Sequence, residues 1–301
     1  MRVKDAVGRF GEQLAGVLPL VRRRGRLASA TNWHTLEFAP IAADESVERV
    51  LVEEALRRAR GRLSLDFMLE RQARRASEAM TEMGYWVIVR PLELSPYVEL
   101  DGSWEEFEAA LPSKRRTELR RRRRRLEELG SCRFQCADGS EQLDELVAEG
   151  IEVEAAGWVG RHGTAIAVEP HAREFYEQIA EWAAEKGCLR LFFLRLDGKA
   201  IAFAFCLADA KSLYVLKIGF DPAYARYGPG HLLTQEMLAY AFGAGLRTYE
   251  FLGHLEPYKL AWTQKLRDRL RVQAFPSTPA GLASYLAWKY GRPVAKRLLR
   301  R

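Results

Sequence analysis

The chain has 301 residues, with 47 Lys and Arg against 40 Asp and Glu and a formal net charge of +7. Its 48% hydrophobic and 29% charged residues exclude a disordered or fibrous protein. Lys114 to Arg125 alone holds nine basic residues and one acidic; outside it 38 basic residues face 39 acidic ones, which excludes a uniformly nucleic-acid-coating surface.

At about 150 residues per domain the length suggests two domains, each able to bury its own core. Four cysteines, Cys132, Cys136, Cys188 and Cys206, are too few for a disulfide framework, and no second ligand pair follows Cys132 and Cys136, so no metal is expected. Leu14 to Val21 contains Pro19 and runs into Arg22-Arg23-Arg24, unlike a secretory signal. The longest apolar run, Ala200 to Ala208, is too short to span a bilayer. A cytoplasmic, reduced protein is expected.

In chain order, Leu14 to Val21 reads as a strand, and Leu36 to Ile41 as a second extended piece. Ser46 to Arg60 has apolar residues at helical spacing. Asp66 is placed to cap a helix that Gly84 stops, followed by a strand, Tyr85 to Arg90, which Pro91 ends. Tyr97 to Leu100 is extended before the turn at Asp101-Gly102. Ser113 caps a helix to Gly130, with Leu119, Leu126 and Leu129 on one face interleaved with Arg115, Arg116, Arg122 and Arg123. Cys132 to Cys136 is a strand, and a helix begins at Gln142. His171 to Gly187 is a helix with Phe175, Ile179 and Trp182 or Ala183 inward. Strands follow at Leu189–Leu196, Ile201–Leu207 across an Asp197-Gly198 turn, and Ser212–Gly219. Pro229 opens a helix to about Ala244 that buries Leu233, Met237, Leu238, Ala241 and Phe242. Tyr249–Leu252 is a strand, Tyr258–Leu266 a short helix, Arg271–Phe275 a closing strand, and the tail from Ala280 a basic helix. The class is mixed α/β: a largely antiparallel sheet with flanking helices.

Ile218 to Leu233 carries the sharpest chemical signal. A strand ends, a turn follows, and a helix starts at Pro229-Gly230, aiming backbone N–H groups and a helix dipole at one point. Pro229 suits the first turn, where its missing N–H costs nothing, and Gly228 and Gly230 let an anion approach the backbone. By itself this segment reads more readily as a plain strand-to-helix turn, since short Gly motifs are common. Downstream, the segment from Gly253 through His254, Glu256, Tyr258 and Lys259 offers a base, an acid and a cation just past a strand end. Tyr258 and Trp262 suit helix packing as well as chemistry.

From Leu111 to about Trp262 the sequence resembles the CelD/FemAB-like (BioF2-like) branch of the GNAT acyltransferase superfamily. The resemblance rests on the order and spacing of residues 111–127, 157–166, 175–180, 196–202, 221–230 and 251–262; Asn32-Trp33-His34 also fits. It implies two GNAT-like halves. The first, 1–112, is abbreviated or degenerate, with no opening strand or helices before Leu14. An Arg-rich linker helix (113–130), an acyl-CoA-binding domain (131–275) and a basic C-terminal helix (276–301) follow. It also implies an acetyl-CoA or other acyl-CoA site at Lys217, Gly219, Arg226, Tyr227, Gly228, Pro229, Gly230 and His231. The loop departs from the family pattern, with Ala225 where Arg or Gln is usual and Arg226 one residue late. The resemblance implies Glu256 or His254 as base, Tyr258 as acid and Lys259 as an orienting cation. Trp158, Arg161, His162, Arg115, Arg122 and Asp221 then line the site of an amine acceptor: a small molecule, sugar or peptide. Trp158, Arg161 and His162 read equally as a helix-end plug. Two alternatives stay open: aminoacyl-tRNA-dependent peptidyl transfer, with Arg120 to Arg125 on tRNA phosphates, and a non-catalytic scaffold.

Overall fold

In the computed structural model, residues 3–10, 13–23, 26–32, 35, 37–59, 61–157 and 170–291 are described. Trp33, His34, Trp158, Arg161, His162 and the basic tail beyond Gly291 lie outside them. The chain divides into two compact units, Met1–Ser95 with Leu266–Arg301, and Pro96–Lys265. The helix at 113–127, expected as a linker, lies inside the second.

The first unit begins with β1 (Val3–Phe10), β2 (Gln13–Arg23), β3 (Arg26–Ser29) and β4 (Ile41–Ala42). The strand before Leu14 therefore exists, contrary to expectation: β1 pairs antiparallel with β2 from Val3↔Val21 to Phe10↔Gln13, a hairpin that its Gly- and Arg-broken sequence conceals. Helix α1 (Glu45–Arg58) is capped by Asp44, whose Oδ1 accepts the Ser46 and Val47 N–H groups at 2.8 and 3.0 Å. The expected Asp66 cap is corrected. Asp66 lies within β5 (Leu63–Met68), where its carboxylate takes Arg271 at 2.8 and 2.6 Å, and helix α2 (Glu70–Glu82) starts after Leu69. Burial of Leu63, Leu65 and Met68 against α1 and α2 outweighs the cap signal. Strand β6 (Trp86–Glu99) runs through both Pro91 and Pro96 instead of stopping, because proline keeps an extended φ and forfeits only one donor. The strand order in this unit is β1-β2-β3-β5, then Leu266–Phe275, then β6.

The second unit takes the end of β6 and adds helix α3 (Trp104–Ala110), held by a Ser103–Glu106 capping box that the sequence reading missed. Helix α4 (Ser113–Glu127) follows Pro112, so Ser113 is its first residue rather than its cap. Then come β7 (Cys132–Ala137), α5 (Leu143–Ala156), α6 (Pro170–Glu185), β8 (Leu189–Leu196), β9 (Lys199–Ala208) and β10 (Ser212–Phe220). A 3-10 turn (Pro222–Tyr227), α7 (Pro229–Gly243), β11 (Thr248–Glu250) and α8 (Pro257–Leu260) complete it. The strand order is β6-β11-β10-β9-β8-β7, and within it β10 and β11 are parallel while the other pairs are antiparallel.

Both faces of this sheet are covered, which explains the unbroken apolar run at β9. Ala202, Ala204 and Cys206 meet Leu233, Met237 and Leu238 of α7, while Phe203 and Phe205 meet Ile151 of α5 and Tyr176 and Ala180 of α6. Two helix faces differ from expectation. On α6 the inward residues are Tyr176, Ala180 and Ala183, and Phe175 and Trp182 are 43% and 49% exposed. Small side chains and the Tyr176–Phe205 ring contact set the close face, not the bulkiest residues. On α4, Leu119 and Leu126 are buried, but Leu129 lies past the helix end and is exposed. Phe242 is only partly buried. All four cysteines are free thiols, and among the described residues no helix is long and apolar enough to cross a membrane.

Close packing predicts one stability outcome. A Cβ on Gly16 of β2 would meet Ile41 O at 2.8 Å and Leu51 Cδ1 at 2.9 Å. Gly16→Ala should lower stability by about 1–3 kcal/mol through overpacking, seen as a reduced melting temperature.

Candidate functional site

Strands β10 and β11 pair only from Ser212↔Thr248 to Tyr214↔Glu250. Beyond that point β10 continues to Phe220 along β9 alone, with a bulge between Val215 and Lys217 that bends it. The sheet therefore opens on the β11 side of residues 215–220. An opened parallel edge presents backbone polar groups to an extended ligand, as an added strand would meet them.

The chain leaves the opened strand through Asp221. Its carboxylate caps the 3-10 turn, accepting Ala223 N–H at 2.9 Å, and pairs with Lys199 at 2.9 Å. Burial would raise this carboxyl, but the Lys199 and Ala223 contacts outweigh it and hold it below the usual range. Asp221, expected at the acceptor, is placed by the fold in this turn. Gly228 ends the turn at φ +61° and starts α7. The left-handed backbone favours glycine there, and a Cβ would have to displace the Arg122 guanidinium, which lies against it. Arg226 folds over Tyr227, donating to its hydroxyl at 2.5 Å, and Tyr227 itself is buried in the core.

Helix α4 delivers two arginines to this end of α7. Arg115 donates to His231 Nδ1 at 2.8 Å and stacks over Trp262, 4.7 Å from the ring centroid. Arg122 lies against Gly228 and pairs with Glu118. A guanidinium cannot accept a hydrogen bond, so His231 Nδ1 is the acceptor and the ring is neutral. The electrostatics agree: burial first, then Arg115 and Arg122, lower His231 to about 4, against which Glu118 acts weakly. Burial likewise lowers Arg115. Two guanidiniums, a glycine-lined turn and the positive end of a 15-residue helix thus meet at one point. Arg123, one residue on, pairs with Glu236 instead.

The other expected residues form two further groups. Lys217, on the bulge, faces Glu154 of α5 at 3.6 Å, and Gly219 allows that close approach, since its Cβ would lie 2.6 Å from Glu154 Cα. Glu154 is fully buried and was missed; the available signal was an acid on the apolar face that carries Val147 and Ile151. In the last group, Lys259 is 4% exposed, and its ammonium donates to Leu252 O at 2.7 Å and His254 O at 3.1 Å and pairs with Glu256 at 2.8 Å. It braces a loop bent by left-handed Leu252 and Gly253. His254 is exposed at the loop tip, and burial, then Glu256, holds the Tyr258 phenol above its usual range and so protonated. No group of three His, Cys, Asp or Glu suited to a metal occurs among the described residues.

The second unit thus combines a sheet opened between two parallel strands with a helix N-terminus at the end of the first. Residues 113–260 match the family model described as acetyltransferase (GNAT) domain, and this segment of the chain is a GNAT domain. Among solved structures, L-PGS from Bacillus licheniformis is similar at 13% identity, covering 94% of this chain and 87% of its own, with TM-score 0.61. "FemX" is similar at 12% identity, 94% and 90% coverage and TM-score 0.60. The C-terminal domain (DUF2156) of a candidate lysylphosphatidylglycerol synthetase from Agrobacterium fabrum is similar at 16% identity, 94% and 88% coverage and TM-score 0.60. At these identities the likeness is one of fold. No curated protein matches the chain in sequence.

The His231 environment gives a signed pH dependence. Its folded value lies below the ordinary 6.5, so the unfolded chain takes up the proton first as pH falls. Stability from this residue is complete above pH 6.5 and is lost as pH falls toward about 4. Melting curves should show wild type losing stability relative to His231→Gln across that window; parallel curves would contradict the assignment.

Proposed function

We propose that this chain moves an acyl group from an acyl-CoA thioester to an amine of a small molecule, sugar or peptide. The observation that carries this reading is the convergence of Arg115 and Arg122 on the Gly228–Gly230 turn, at the end of the strand that opens from β11. A pyrophosphate at that turn would meet helix N–H groups and two guanidiniums, whose planar donors suit phosphate oxygens. The pantetheine arm would then lie along residues 215–220, leaving the thioester near the bulge.

In the transfer, the amine nitrogen attacks the thioester carbon, the C–S bond breaks, and the thiolate takes a proton. The amine must first lose its own proton. His254 or Glu256 is the proposed base, directly or through water, with His254 the more exposed of the two. Tyr258, held protonated by its surroundings, is the proposed acid. The two carbonyl contacts of Lys259 support a role in holding the shape of this loop. Under this reading Tyr258→Phe lowers kcat about 100-fold or more, while affinity for CoA is unchanged.

A second reading, aminoacyl-tRNA-dependent transfer to an amine, is favoured by the outer face of α4. Arg120, Arg121, Arg124 and Arg125 are exposed there, a row suited to phosphates in a backbone. Similarity in fold to FemX agrees with it. Calorimetry with CoA and acetyl-CoA, beside gel shifts with bulk tRNA across salt, separates the two. On the acyl-CoA reading CoA binds, Arg122→Gln weakens it by about tenfold or more, and no tRNA shift occurs. A shift abolished by Arg120→Glu with Arg124→Glu, without CoA binding, overturns it in favour of tRNA.

A further inference from the structure

The first unit carries an apolar surface that acyl transfer does not use. The helix Pro279–Leu286 continues as a π-turn through Gly291. Leu282, Leu286 and Tyr290 recur every four residues along it and are 38%, 43% and 59% exposed. Its inner side is anchored: Tyr285 packs on Phe275 at 6.0 Å and Trp86 at 5.6 Å, Arg62 stacks 4.2 Å over Trp288, and Arg90 donates to the Trp288 and Lys289 carbonyls. The outward stripe is therefore fixed in position, with Trp86, itself 43% exposed, against its anchoring Tyr285.

The sequence of this segment carries charge of one sign. From Pro279 to Arg301 the sequence has six basic residues, Lys289, Arg292, Lys296, Arg297, Arg300 and Arg301, and no acid. A second copy of the chain carries the same sign of charge in this run and so offers no complement to it. Aromatic rings with polar tips beside leucines and lysines or arginines suit the boundary between headgroups and acyl chains, and the positive run suits an anionic surface.

We propose that this helix docks the protein on an anionic phospholipid surface, with Leu282, Leu286 and Tyr290 entering the headgroup boundary. The test is cosedimentation of the full chain with vesicles of phosphatidylcholine, with or without about one third phosphatidylglycerol. Binding is expected only to the anionic vesicles, weakening between ~0.1 and ~0.5 M salt. Leu286→Glu and, separately, Tyr290→Glu should each weaken it about tenfold or more. Leu129→Glu, an exposed leucine of the second unit, should leave it unchanged. Melting curves confirm that each variant is folded; because Tyr290 is the most exposed of the three, its variant carries the test if Leu286→Glu is not. Equal binding to neutral vesicles, binding indifferent to the folded stripe variants, or a dimer on gel filtration that Tyr290→Glu splits would each overturn the proposal.

Discussion

The second unit is organised by one limit on strand pairing: β10 and β11 hold together for three residue pairs and then part. Had the pairing continued, the sheet would be closed and would offer no edge to a ligand. The bulge at Val215–Lys217 bends β10 while β9 still holds it, so the strand is bent without being loosened. Each chain that leaves the divergence then carries part of the site. From β10 come the Asp221 turn, Gly228 and α7; from β11 come the bent loop braced by Lys259 and the helix with Tyr258.

Arg115 ties these two parts together. Its guanidinium sits between the His231 ring on α7 and the Trp262 ring just past α8. Withdrawing a guanidinium from water is costly, and the compensation here is a ring nitrogen, an aromatic face and nearby Glu118 rather than a buried ion pair. That arrangement leaves positive charge uncancelled at the helix N-terminus, the condition an arriving anion requires. His231 responds to it by staying neutral. Its proton affinity is lowered first by burial and then by the field of the same two arginines that the proposed function places on pyrophosphate.

How far the sequence could be read follows the range of the forces involved. Local signals worked: Gly228, Pro229 and the Asp197-Gly198 turn are fixed by backbone chemistry, and the α7 face by its own periodicity. What failed depended on partners distant in the chain. Asp66 looked like a cap until Arg271, 205 residues later, claimed its carboxylate. The α6 face was set by Phe205 on another element, and the burial of Glu154 by Gly219 on a strand across from its helix. In the site, residue types were legible but roles were not. Lys259 has the same chemistry whether it meets a substrate or three oxygens of its own loop, and only the fold distinguishes them.

The charge surplus resolves along the same line. The nine basic residues of Lys114–Arg125 do not act as a block, because a helix sorts neighbours in sequence onto different faces. Arg115 and Arg122, seven residues apart and so two turns along one face, reach the end of α7; Arg123 goes to Glu236; Arg120, Arg121, Arg124 and Arg125 face water. One helix thus supplies an inner pair at the proposed anion site and an outer row that faces water. Two leucines, Leu119 and Leu126, decide which arginine belongs to which, because burying them fixes the rotation of the helix. The apolar minority of the segment sets the geometry in which its charge is used.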